Sequence, residues 1–188
     1  MAARMPDDRM PDDRVPDDRV LVRNATAADA HGLAVVHVRS WQEAYRGLMP
    51  QEVLDGLSIA EREANWALFM EDSERRSRTL VVERDGMIVG WAGYGTARDD
   101  DAPGTGELWG IYAHPDFWST GVGHLLVGAV EAALRAEGHA IAYLWVLEGN
   151  ARAASFYERH GWHADGGTKI DRRPGLVLHE RRHTKPLA

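Results

Sequence analysis

The chain has 188 residues, 44% of them hydrophobic and 27% charged, a balance that suits one soluble domain large enough to bury a core. It contains no cysteine, which excludes disulfides and thiolate metal sites. A formal net charge of -7 argues against a nucleic-acid partner, which needs a basic footprint, and suits a cationic partner such as an amine.

Residues 1–19 contain "MPDDRMPDDRVPDDR", near-copies of one pentapeptide. Such a tract cannot bury apolar surface, so a disordered low-complexity tail is expected there and a single folded domain over 20–188. A short strand is predicted at "VLVRNAT". Thr26 and Asp29 have capping-box spacing, and the helix after them carries Leu33, Val36, Trp41 and Tyr45 near one face until Pro50 breaks it. "SIAEREANWALFMED" predicts a second helix capped by Ser58. "SRTLVVERDG" and "MIVGWAGYGTA" predict a hairpin turning at Asp85-Gly86. "DDDAPGTG" is a loop, and "ELWGIYAHP" is a strand ended by Pro115.

"HLLVGAVEAALRAEG" predicts a helix that stops at Gly138. "AIAYLWVLEG" is an apolar strand, and "NARAASFYERHG" is a helix with Asn150 as cap and Gly161 as terminator. "WHADGG" and "GLVLHERRH" form a closing antiparallel pair. The order β-α-α-β-β-β-α-β-α-β-β implies an α/β (α+β) fold, a mixed sheet with helices on both faces. No stretch is apolar for long enough to span a bilayer, and the N-terminus lacks an apolar signal core, so a cytoplasmic protein without membrane association is expected.

The chemical signal lies in "HPDFWSTGVGHLL". A strand, a loop and Gly-x-Gly precede a helix. Main-chain N–H groups at such a junction lack intrahelical partners and point at one place, with the helix dipole behind them. A phosphate or diphosphate fits there, and glycine removes the Cβ atoms that would hold it off. Leu126 stands where a dinucleotide fingerprint needs its third glycine, and His124 stands where a Walker loop needs lysine.

"HPDFWSTGVGHLLVGAV" resembles the acyl-CoA diphosphate loop of the GCN5-related N-acetyltransferase (GNAT) superfamily, Arg/Gln-x-x-Gly-x-Gly/Ala after a strand. "LWVLEGNARAASFYERHGWHADG" is similar to that superfamily's second block, and "HVRSWQEAYRGLMP" to the first helix of many bacterial members. Together these cover most of residues 20–183. The resemblance implies a mostly antiparallel twisted sheet with a central pair of splayed parallel strands. It implies acetyl-CoA as cosubstrate, bound by Ile111, Tyr112, Ala113, Trp118, Ser119, Thr120, Gly121, Val122, Gly123 and Asn150. Trp118 and Ser119 depart from the pattern, since Arg/Gln and often Gly are expected there. Trp118 reads as a hydrophobic plug or a cofactor contact. His124 and Arg152 are the candidates for the missing cation.

By the same resemblance Tyr157 is the general acid for the coenzyme sulfur, and a main-chain N–H near Tyr112 polarises the thioester carbonyl. Glu107 is the candidate base or else an ordinary strand-edge carboxylate, with His114 in reserve. Trp41, Glu43 and Tyr45 are the candidate acceptor contacts, an aromatic wall with a carboxylate that suits a cation; Trp91, Tyr94 and Trp109 can line the same region. The acceptor is a small-molecule or peptide amine. A homodimer is compatible with the family, and no metal site is expected. A non-catalytic acyl-CoA sensor or scaffold is the rival function, separable by whether amines release free CoA.

Overall fold

Period-two alternation divides the central strands between two cores. On β2 (Ser77–Arg84) and β3 (Met87–Thr96), Leu80, Val82, Ala92 and Tyr94 face one core, whereas Val81 and Trp91 face another. The computed structural model describes residues 20–173 and 175–187. The repeated N-terminal segment, expected to be a tail, lies outside them. The other strands are β1 (Val20–Asn24), β4 (Gly106–Ala113), β5 (Ile141–Leu147), β6 (His163–Arg173) and β7 (Leu176–Pro186). They form one seven-stranded sheet in the order β1-β2-β3-β4-β5-β7-β6, and β4 with β5 is its parallel pair.

Helices cover both faces. α1 (Ala30–Ala44) and α3 (Ile59–Glu71) lie on the Val81 and Trp91 side, where Leu33 and Val36 are fully buried. α4 (Val122–Ala136) lies on the other side and buries Val122, Leu126, Val127, Val130 and Leu134, a stripe at helical spacing. Truncating Leu126 to alanine there would cost about 2–5 kcal/mol of stability. α5 (Ala151–Arg159) docks its Tyr157 into the same core.

Three local features differ from the sequence expectation. Pro50 does more than end a helix: its φ of -54° suits the N-cap of a short further helix, α2 (Gln51–Asp55). The predicted Thr26–Asp29 capping box forms, but it caps a 3-10 turn that precedes α1; Asp29 accepts from the Thr26 N–H at 2.7 Å while the Arg23 guanidinium clamps it. The "ADGG" segment, which looks like the end of a strand, is an irregularity inside β6. The pairing with β7 shifts between Ala164 and Thr168, and the strand then continues to Arg173.

The sheet opens at its centre. β4 and β5 are paired from Gly106 to Leu108, and beyond Leu108 they diverge. The β3–β4 register shifts at the same point: Gly93 faces Gly110 and Tyr94 faces Leu108, so Trp109 is an extra residue. This bulge bends β4 where it leaves β5. β5 stays paired with β7 along its whole length, from Ile141–Pro186 to Leu147–Glu180. Among the described residues no helix is long and apolar enough to cross a membrane.

Candidate active site

The divergence leaves the β5-facing main-chain edge of β4 without a strand partner past Leu108. A cleft of about 470 Å³ follows this slot, from the start of α4 to the β6–β7 hairpin. Ile111, Tyr112 and Ala113 line one wall and Trp145, Val146 and Leu147 the other.

At one end the site is main chain. Gly121 is the α4 N-cap with φ +95°, a conformation L side chains rarely adopt, and Ser119 is also left-handed at φ +63°. The first bond into the helix is Leu125 N–H to the Gly121 carbonyl. The amides from Ser119 to His124 donate to no acceptor among the described residues. Gly123 is small for another reason: a Cβ there would come within 3.1 Å of Phe156, so it lets α4 pack against α5. Ser119, Gly121, Gly123 and His124 line the cleft; Thr120 turns its hydroxyl to the Phe117 carbonyl at 2.8 Å, and the Val122 side chain is buried in the core.

Trp118 is more than a plug. Its Nε1–H donates to the Ala113 carbonyl at 2.8 Å, at the last residue of β4, and Arg152 stacks 3.4 Å above its ring centre. Arg152 lines the cleft, makes no ion pair among the described residues, and has its pKa lowered by burial. His124 contacts His160 at 3.0 Å. Asn150 caps α5 by accepting from the Ala153 N–H at 3.1 Å, which leaves its side-chain nitrogen undonated among the described residues.

Three phenols meet in the middle. The Tyr45 and Tyr112 hydroxyls are 3.2 Å apart, and the Tyr157 hydroxyl has no partner among the described residues. Burial raises the pKa of all three, so each remains a protonated donor at neutral pH.

At the other end the site is side chain. Trp41 packs edge-to-face on Tyr45 at 5.2 Å, and Trp109 and Trp145 extend the aromatic wall. Glu107 is only 1% exposed and its carboxylate accepts four hydrogen bonds. Two come from the Arg98 guanidinium at 2.9 and 2.5 Å, one from the Arg98 N–H at 3.0 Å and one from Tyr143 at 3.1 Å. Three of these bonds fall on Oε2 and one on Oε1, so the carboxylate, which lines the cleft, is largely occupied by its own neighbours. Glu180, which nothing in the local sequence marked, also lines the cleft. Its one ion pair among the described residues, to Lys169, is long at 3.5 Å, and burial raises its pKa. Glu43 faces solvent in a pair with Arg46 and does not line the cleft. His114 bonds the Asp116 N–H beside the loop and does not line it either. Trp91 packs tilted against Tyr112 at 4.8 Å from a neighbouring groove, and Tyr94 is buried in the α4 core.

Arg98, Arg173 and Glu180 belong to the cleft but escaped the sequence reading. They sit in a loop and on two strands with no motif around them. Only the period-two pattern of β7 could have placed Glu180 beside Leu178.

A split parallel strand pair, a glycine-bearing helix N-terminus beside it and an unpaired tyrosine facing the gap define an acyltransferase-type site. A family model described as "Acetyltransferase (GNAT) family" matches residues 38–162, more than half of the chain, and the chain belongs to that family. It is 29% identical over 143 residues to the uncharacterized N-acetyltransferase YuaI of Bacillus subtilis, spanning 75% of this chain and 79% of that protein. Among solved structures it shares its fold with PaiA N-acetyltransferase of Thermoplasma acidophilum in complex with coenzyme A, at TM-score 0.66 and 20% identity over 89% of this chain and 98% of that one. A second neighbour is YncA of Salmonella typhimurium with its cofactor acetyl-CoA, at TM-score 0.65 and 17% identity over 90% and 94%.

Proposed function

We propose that this protein transfers the acetyl group of acetyl-CoA to a primary amine by direct attack in a ternary complex. The observation that carries the reading is the alignment of the unpaired amides at Ser119 to His124 with the open edge of β4 and the unpaired Tyr157 hydroxyl. The amides and Arg152 hold the diphosphate, each charge-assisted bond contributing about 1.5–3 kcal/mol. The pantetheine arm lies along the edge of β4 as an added strand, with Asn150 bonding it. A main-chain N–H of the Ile111–Tyr112 segment polarises the thioester carbonyl.

The amine nitrogen forms its bond to the carbonyl carbon, and the carbon–sulfur bond breaks. Tyr157 gives its proton to the departing thiolate. An alkylammonium of pKa about 10.4 is less than one part in a thousand neutral at pH 7, so a base near the acceptor raises the reactive fraction. Glu180 fills that role, and Glu107, engaged on four sides, instead fixes Arg98 in the wall.

The test is release of free CoA with a panel of primary amines, the products identified by mass, alongside calorimetry of acetyl-CoA. Uptake with no CoA released by any amine would leave a sensor or scaffold, and no uptake would remove the reading altogether. The base is tested by pH profiles of kcat/KM. Burial raises the Glu180 carboxyl, so the acid limb is expected above the usual carboxylate range, with activity rising as pH rises through it. Glu180→Gln is expected to lose that limb and recover at high pH. The same outcome in Glu107→Gln alone would return the role to Glu107.

A further inference from the structure

A second cavity of about 380 Å³ lies beside the first, and Arg98 and Trp109 line both. Its walls are the rings of Trp66, Phe69, Trp91 and Trp109, with Trp66 edge-on to Trp91 at 4.9 Å and to Phe69 at 5.5 Å. Its floor is open at Gly93, where a Cβ would stand 3.8 Å from both Trp91 and Trp109.

Its polar inventory is one-sided. Among the described residues no carboxylate lines the groove, whereas two guanidinium groups do, Arg62 and Arg98. Arg98 is held by Glu107, but Arg62 makes no ion pair among the described residues. The Arg62 guanidinium lies 5.9 Å from the ring centre of Trp41, a residue of the cleft wall, so it stands beside the partition between the two cavities. The indole N–H groups of Trp91 and Trp109 are buried without partners, as are both ring nitrogens of His37. An aromatic trough with an unmatched cation is complementary to an apolar body bearing an anion.

We propose that the acceptor is an amphipathic amino acid in the broad chemical sense. Its amine faces the thioester in the cleft, its apolar, preferably aromatic, body crosses Trp109 into the groove, and its carboxylate pairs with Arg62. This rests on the N-acetyltransferase reading above and narrows its substrate class. Chemistry at the thioester is unchanged: the acetyl group passes from sulfur to nitrogen, and the products are an amide and the CoA thiol.

The experiment uses matched probes with the full-length protein. The rate of CoA release is compared for para-aminomethylbenzoate and for benzylamine, the same amine without the carboxylate. The carboxylate acceptor is expected to have a KM lower by about tenfold or more, the worth of one charge-assisted pair. Arg62→Gln is expected to erase that advantage, and Arg62→Lys to restore part of it. A binding readout independent of turnover is quenching of tryptophan fluorescence by para-toluate, which has no amine, expected in the wild type and lost in Arg62→Gln. Equal use of the two amines, indifferent to Arg62, overturns the groove assignment while the transferase reading stands. Absence of para-toluate binding also overturns it. Binding of para-toluate that depends on Arg62, with no amine acetylated, supports the groove as an anion site and sinks the transferase reading.

Discussion

The two ends of the cleft are made of different material. At the α4 end, where the diphosphate is proposed to bind, the groups left without partners among the described residues are amides of consecutive residues, Ser119 to His124, set by two left-handed φ angles. At the opposite end, where the acceptor is proposed to sit, the lining groups are side chains from distant parts of the chain: Trp41 on α1 and Tyr45 at its C-cap, Arg98 in a loop, Trp109 at a bulge, Asp171 and Arg173 on β6, Glu180 on β7. A main-chain site tolerates a changed side chain so long as the backbone angles survive, which is how Trp118 can stand where the family has Arg or Gln. A side-chain site has no such buffer, because each member is a separate variable, and on the reading proposed above this is the end that sets the acceptor.

The sharpest break in this contrast lies between the ends, at Tyr157. Tyr157→Phe removes one unpaired hydroxyl and keeps the buried ring. Turnover is expected to fall by about 100- to 10,000-fold while calorimetry shows acetyl-CoA binding little changed. Near wild-type turnover would take the acid role from it. The next largest effect tests whether the diphosphate end is main chain alone. Arg152, stacked on Trp118, is a side chain that this end adds to its amides. Arg152→Ala is expected to weaken acetyl-CoA binding by about 10- to 100-fold, with the loss shrinking in high salt. An unchanged Kd would mean that the amides suffice and that the Arg152–Trp118 stack is packing only.

The same contrast explains what the sequence made legible. The α4 and α5 junctions are local: Gly121, Gly123, Asn150 and Tyr157 all fall inside short spans whose order carries the meaning, and all four line the cleft. The splay was reachable only through family resemblance, because neither the loss of pairing after Leu108 nor the bulge at Trp109 leaves a mark in period-two alternation. Glu107 was singled out for its place at the head of a strand. What decides its chemistry is Arg98, nine residues earlier, and Tyr143, on a strand paired with it in space. Glu43 falls on the same predicted helix as Trp41 and Tyr45, yet two residues of rotation turn it to solvent. Side-chain constellations drawn from separate elements have no sequence period, so the acceptor end stays silent until the chain is folded.

The smallest expected effect concerns what the aromatic groove beside the cleft does to stability. His37 lies between Trp41, Trp91 and Tyr112, stacked on Tyr112 at 5.9 Å, with both ring nitrogens buried and unpartnered. Burial, then the positive charges of Arg62 and Arg173, push its pKa from the ordinary 6.5 down to about 4. The folded state therefore refuses a proton that the unfolded chain accepts, and stability is lost as pH falls between about 6.5 and 4. Asp29, lowered to about 2 chiefly by its hydrogen bonds from Arg23, loses its contribution in a separate window below 3.8. Allowing for relaxation and water entry, the His37 contribution amounts to about 1–2 kcal/mol. His37→Phe keeps the aromatic stack and is expected to flatten the pH dependence of the urea midpoint across the upper window while leaving the lower one in place. An unaltered slope would mean that the His37 ring takes up its proton in the folded state, and the crowding of unpaired donors around the acceptor groove would then carry no penalty in acid.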